Sequence, residues 1–233
     1  MEQRLKQIRE SERISHTMMY SRDELYKEGS WLNKPIKTIT DILPYFENYQ
    51  AFNVLDLGCG IGRNCIEIAR RYQKRCNIDC VDILELAIDK LKLNAKLYGV
   101  QDNICGIVQP IEDYKIKENY YDFVIAVSAL EHMDTKESFI EKLREIKRGL
   151  RENGIVCLVI NSSVVEHDKI TREELPAQFE INLETGELQK ILQRIFGSWK
   201  ILKFKIQSQQ YDIPRANCIS DLKTRVVTLV VRK

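Results

Sequence analysis

The chemistry of this sequence concentrates in Asp56-Leu57-Gly58-Cys59-Gly60-Ile61-Gly62. An apolar run from Ala51 ends in this glycine-rich turn, which opens onto a helical pattern at Ile61, Cys65, Ile66, Ile68 and Ala69. A strand that enters such a turn and leaves as a helix brings bare backbone and its N–H groups up to a small ligand. A dinucleotide turn would read Gly-x-Gly-x-x-Gly, with the third glycine beneath a pyrophosphate. Here Arg63 occupies that third place. Asp56 puts a carboxylate beside the turn, which suits a cationic amino-acid ligand better than a pyrophosphate.

The hydrophobic pattern around the turn alternates between short strand-like and longer helical runs. Strands are expected at Ala51–Leu57, Asn77–Val81, Ile104–Val108, Tyr121–Val127 and Ile155–Ile160. Helices are expected at Ile61–Tyr72, Glu85–Tyr98 and Lys136–Leu150, the last stopped by Asn153-Gly154 in a C-cap manner. Repeated strand–helix units imply a parallel sheet with helices on both faces. A helix at Thr185–Phe196 precedes two consecutive strands, Trp199–Ile206 and Arg225–Val231. With no helix between them, these two form an antiparallel hairpin closing one sheet edge. The fold class is thus α/β, a doubly wound, mostly parallel seven-stranded sheet with an antiparallel C-terminal hairpin strand. The first 50 residues carry helical patterns at Leu5–Ile14 and Ile36–Phe46 and read as an N-terminal cap on a domain spanning 51–233. Tyr20, Tyr26 and Trp31 would either lid the site or pack the cap onto the domain.

The composition sets bounds. The chain has 233 residues, 44% apolar and 30% charged, with a formal charge of +2, as in an ordinary globular protein. That balance gives no reason to expect nucleic-acid binding. No apolar run is long enough for a bilayer span, and no signal-peptide core follows Met1. Seven cysteines are an odd number, and Cys76 and Cys80 lack a second pair to complete a zinc site. Free buried thiols in a reducing cytoplasm are expected, with no metal.

The run Asp56-x-Gly58-x-Gly60-x-Gly62 resembles the first motif of the class I S-adenosylmethionine-dependent methyltransferases, and the similarity extends from about Ala51 to Ile160. The resemblance implies a Rossmann-like methyltransferase fold with S-adenosylmethionine as cofactor. It implies that Gly58, Cys59, Gly60 and Gly62 lie against the methionine part, with Asp56 beside them. It places Asp82, at the end of the second strand, on the ribose hydroxyls, next to Ile83; a carboxylate can accept hydrogen bonds from both. Pro110 stands where the family often has an adenine-facing aspartate, so the Ile111 backbone N–H, Glu112 or Asp113 would serve instead. Val127 and Ser128 would line the sulfonium region. Leu130-Glu131-His132 resembles a segment common in small-molecule members, in which Glu131 and His132 would orient an acceptor or take its proton. The structural alternative is a capping glutamate and a packing histidine. His167 lies on the ligand side of the fifth strand, whereas His16 reads as a surface or packing residue.

Methyl transfer from a sulfonium is an in-line displacement with a good leaving group, so alignment and desolvation matter more than a catalytic dyad. No Asn-Pro-Pro-Tyr or Asp-Pro-Pro-Tyr run and no Pro-Cys nucleophile follows the fourth strand. A small-molecule acceptor is therefore the expectation, for a cytoplasmic monomer or homodimer with no membrane or nucleic-acid partner. The alternatives are a protein or RNA acceptor, a non-catalytic cofactor-binding module, or a nucleotide-dependent oxidoreductase. Gly62-Arg63-Asn64 and the stretch from Thr185 onward also resemble the tellurite-resistance methyltransferases.

Overall fold

Tyr121–Val127 contains no charged residue but Asp122 and is buried almost throughout, as a strand covered on both faces must be. It is strand β4 of a sheet that the computed structural model describes over residues 2–215 and 218–233. The other long strands are β1 (Phe52–Leu57), β2 (Cys76–Asp82), β3 (Ile104–Val108), β5 (Leu150–Asp168), β7 (Lys200–Pro214) and β8 (Ile219–Arg232). Their spatial order is β3-β2-β1-β4-β5-β8-β7, and the two-residue β6 (Glu174–Leu175) pairs with β5 off this path. Strands β1 to β5 run parallel, while β8 lies antiparallel between β5 and β7. The order reverses between β1 and β4, which is where an open α/β sheet binds its ligands.

Helices α3 (Cys65–Tyr72) and α4 (Glu85–Leu97) cover one face, and α5 (Lys136–Gly149) and α6 (Thr185–Phe196) the other. Phe52 and Val54 belong to the first core, while Leu55 and Leu57 face the second. The N-terminal region supplies α1 (Glu2–Arg22), α2 (Lys37–Ile42) and a 3-10 turn at Leu43–Phe46. Among the described residues no helix is long and apolar enough to cross a membrane.

Three expectations are corrected. Asn153-Gly154 does not cap α5, which ends at Gly149 and passes directly into β5. Asn153 has a positive φ of 67° inside a strand irregularity, where the pairing with β4 slips between Tyr121↔Leu150 and Phe123↔Ile155. Left-handed residues serve β-bulges as well as helix ends. Helix α3 begins at Cys65, because the glycine turn runs through Asn64 before regular helix starts. The thiols are also not all buried, since Cys105 is exposed and Cys218 partly so.

Candidate active site

At the carboxyl ends of β1, β2, β3 and β4 lies a cavity of about 730 Å³. Its floor is the glycine turn. The N–H groups of Gly58 and Cys59 donate to the Val81 carbonyl at 2.8 and 3.1 Å, which ties the turn to β2. Gly58 has φ +72°, and a Cβ there would stand 2.3 Å from the Ala129 side chain. Gly60 has φ +53°, and its N–H donates to Asp82 Oδ2 at 2.8 Å. Leu84 N–H donates to the other Asp82 oxygen at 2.9 Å. Burial raises the Asp82 pKa, and these N–H donors oppose the rise. A carboxylate has about four acceptor positions, so each oxygen keeps one for a ligand hydroxyl.

Gly58, Cys59, Gly60, Asp82, Ile83, Ile111, Glu112, Val127, Ser128 and His132 all line the cavity, as does Pro110. Among the described residues the Ile111 N–H makes no hydrogen bond. Ser128 takes φ +48°, a conformation uncommon outside glycine, with its N–H held on the Val159 carbonyl at 2.8 Å. Asp56, Gly62 and Glu131 lie behind the wall. Gly62 packs under Ile66 and Leu91. Asp56 shares the strand face of Val54, is 2% exposed, and its Oδ2 has no partner among the described residues. Burial and the Asp82 charge push its pKa up to about 7, against a hydrogen bond from Cys65. Glu131 Oε1 accepts from the Asn161 N–H at 3.0 Å and from Asn161 Nδ2 at 2.5 Å, so this carboxylate braces β5.

The roof is α1. Lys6, Arg9, Glu12, His16 and Tyr20 face the cavity, flanked by Trp31 and Leu32. His16, read from sequence as a surface or packing residue, is thus a wall residue; its Nδ1 lies 3.0 Å from the Glu12 carbonyl. Burial disfavours the His16 cation, but Glu12 reverses the balance and raises its pKa. Tyr26 stays outside, donating to the Arg63 carbonyl at 2.9 Å. His167 sits beside β6 and does not line the cavity.

Arg9, Glu12 and Glu180 were not expected at the site. Arg9 ion-pairs with Glu112 and lies 3.7 Å from Glu180 Oε1. Glu180 Oε2 in turn lies 2.9 Å from His132 Nδ1, and Phe179 stacks on that imidazole with centroids 5.1 Å apart. Burial disfavours the His132 cation, but the Glu180 hydrogen bond and the Glu131 and Glu12 carboxylates outweigh it, raising its pKa to about 9. No local pattern could have announced these contacts.

The residues fit a nucleoside-bearing cofactor with an amino-acid tail. The glycine cradle would be filled by a side chain, and Asp82 offers acceptor positions at its edge. Comparisons with known proteins point the same way. A family model described as a methyltransferase domain matches residues 54–154. Norajmaline N-methyltransferase of Rauvolfia serpentina is 30% identical over 94 residues, 39% of this chain and 30% of that protein. The chain spans between about a third and a half of the length of the first curated relatives it matches. A SAM-dependent methyltransferase from Methanosarcina mazei superimposes with a TM-score of 0.59 at 16% identity, over 82% of this chain and 97% of that one. TehB from Haemophilus influenzae gives 0.59 at 21% identity, over 83% and 62%. At these identities the two structures establish a shared fold.

Proposed function

We propose that the chain is a class I S-adenosylmethionine-dependent methyltransferase, as the methyltransferase-domain model matching residues 54–154 supports, and that it transfers a methyl group to a small-molecule acceptor by in-line displacement. The observation that carries this reading is the roofed cavity: its floor is the glycine turn, and its far end is closed by α1 and His132. A chamber of this size, bounded by the chain's own helix, suits a small acceptor better than a protein or RNA surface.

Gly58, Gly60, Asp82, Ile83, Ile111 and Val127 would hold the cofactor, whose sulfonium supplies an activated methyl group when bound. Asp82 would take the ribose hydroxyls on the acceptor positions not used by Gly60 and Leu84. The Ile111 N–H would address the adenine, because Glu112 is committed to Arg9. The acceptor would lie between Ser128, His132 and the α1 wall. His132 Nε2 would receive its proton where the acceptor atom carries one. Glu131 supports this wall from behind. Residues 1–50 act as a cap that excludes water, with Tyr20 over the glycine turn. The unpaired cysteines suit a reducing cytoplasm.

Turnover of methyl-labelled S-adenosylmethionine against thiols, amines, phenols and oxyanions, with protein and RNA arms alongside, tests the reading. Label appearing in a small molecule supports it. Label entering only protein or RNA, or no turnover despite cofactor binding, would overturn it.

A further inference from the structure

His132 is held from an unexpected direction. Its Nδ1 meets Glu180, which comes from the segment before α6 and whose side chain is only 2% exposed. The backbone of that segment is anchored beside the same loop, since Ile181 N–H donates to the Glu131 carbonyl at 3.0 Å. Phe179 covers the ring face. The second Glu180 oxygen lies 3.7 Å from Arg9 Nε on α1, and Arg9 also pairs with Glu112. One buried carboxylate therefore joins the histidine at the end of β4 to the helix that roofs the cavity.

We propose that Glu180 is the positioning residue for His132: it holds Nδ1, leaves Nε2 as the ring nitrogen available to the acceptor, and through Arg9 makes this arrangement depend on α1 being seated. The proposal rests on the reading of His132 as proton acceptor given above. In the proton step, the acceptor's X–H bond breaks, its electron pair stays on X, and the proton moves to Nε2. For that the ring must first lose its second proton, which a pKa of about 9 places at alkaline pH; the proton that remains is then on Nδ1, the tautomer a Glu180 acceptor selects.

The charges facing the ring come from three places. Glu180 and Glu131 approach from the chain on either side of the cavity end. From α1 come Glu12, His16 and, through Glu180, Arg9. Arg215, between β7 and β8, lies 3.7 Å from Glu12 and binds Glu166. The carboxylates favour the imidazolium, whereas burial and His16 oppose it. Seating α1 thus sets the protonation balance at His132 as well as closing the roof.

The test is the titration of the His132 ring followed by nitrogen-labelled NMR in the full chain without cofactor, together with the pH profile of methyl transfer. Glu180→Gln keeps a carbonyl to accept from Nδ1 but removes the charge, and should lower the ring midpoint by about 1–3 pH units. Arg9→Gln leaves Glu180 to His132 alone and should move the midpoint upward; it also serves as the second variant should the Glu180 change impair folding. An unmoved midpoint in Glu180→Gln, or a downward one in Arg9→Gln, would overturn the proposal. A midpoint that moves as expected while the rate profile stays in place supports the positioning role and removes His132 as proton acceptor.

Discussion

The Tyr20 hydroxyl stands 2.8 Å from the point that a Cβ on Gly60 would occupy. Helix α1 therefore reaches the floor of the cavity, and the glycine turn is pressed between β2 and a side chain forty residues earlier in the sequence. Burial drives the Tyr20 pKa upward, so it stays a neutral hydroxyl there.

Gly60→Val should lower affinity for S-adenosylmethionine by about a hundredfold or more. Its branched side chain would need a positive φ, fill the cradle and displace Tyr20. Titration calorimetry on a variant whose circular dichroism matches the parent checks this. Parental affinity would show that the cofactor lies elsewhere.

Asp82→Ala should weaken cofactor binding by about 1–3 kcal/mol, through loss of charge-assisted hydrogen bonds. The loss has a second source, since Gly60 and Leu84 N–H would lose the acceptor that fixes the turn. Asp82→Asn should fall between the two, because an amide oxygen can retain one of those bonds. Equal affinities for all three proteins would contradict the assignment.

His132 links stability to pH. Its pKa is raised in the folded chain, from 6.5 to about 9. The folded state therefore holds the proton more tightly, and this stabilisation is fully present below about pH 6.5 and lost as pH rises through about 9. Relative to His132→Gln, the parent should lose on the order of 2–3 kcal/mol across that window. Denaturant melts at the two ends measure it, and a difference between the proteins that does not change with pH would refute it.

Asp56 has the same sign of linkage with an unfavourable consequence. Its folded pKa is raised to about 7, so the ionised form is disfavoured and stability falls as pH climbs from about 4 through 7. Asp56→Asn, which keeps the shape without the charge, should raise the melting temperature at about pH 8 and leave it nearly unchanged at about pH 4. Destabilisation at the higher pH would mean that the carboxylate has a partner that offsets its burial.

Much of the sheet was legible because its signals are local. Ile104–Val108, Tyr121–Val127 and Thr185–Phe196 have the bounds that their apolar patterns indicate. The Asp56–Gly62 turn was readable for a similar reason, since its glycines occupy positive φ within one short segment. Polar residues hid the rest. Strand β5 continues through Ser162 and Ser163 to Asp168, and β7 and β8 extend as far alongside it, because paired backbone stabilises a strand that apolar periodicity does not mark. The roof was least visible. Arg9 and Glu112 are 103 residues apart, and Glu180 lies in a segment without periodicity. Such ion pairs depend on tertiary placement alone.

The central claim is that the cavity between the glycine turn and α1 binds S-adenosylmethionine. Calorimetric titration of the parent and of Gly60→Val with S-adenosylmethionine, its demethylated product and NAD tests it most directly. The first two ligands should bind the parent saturably and one-to-one, binding should be lost in the variant, and NAD should not bind. Binding of NAD alone, or equal binding of S-adenosylmethionine to parent and variant, would contradict it.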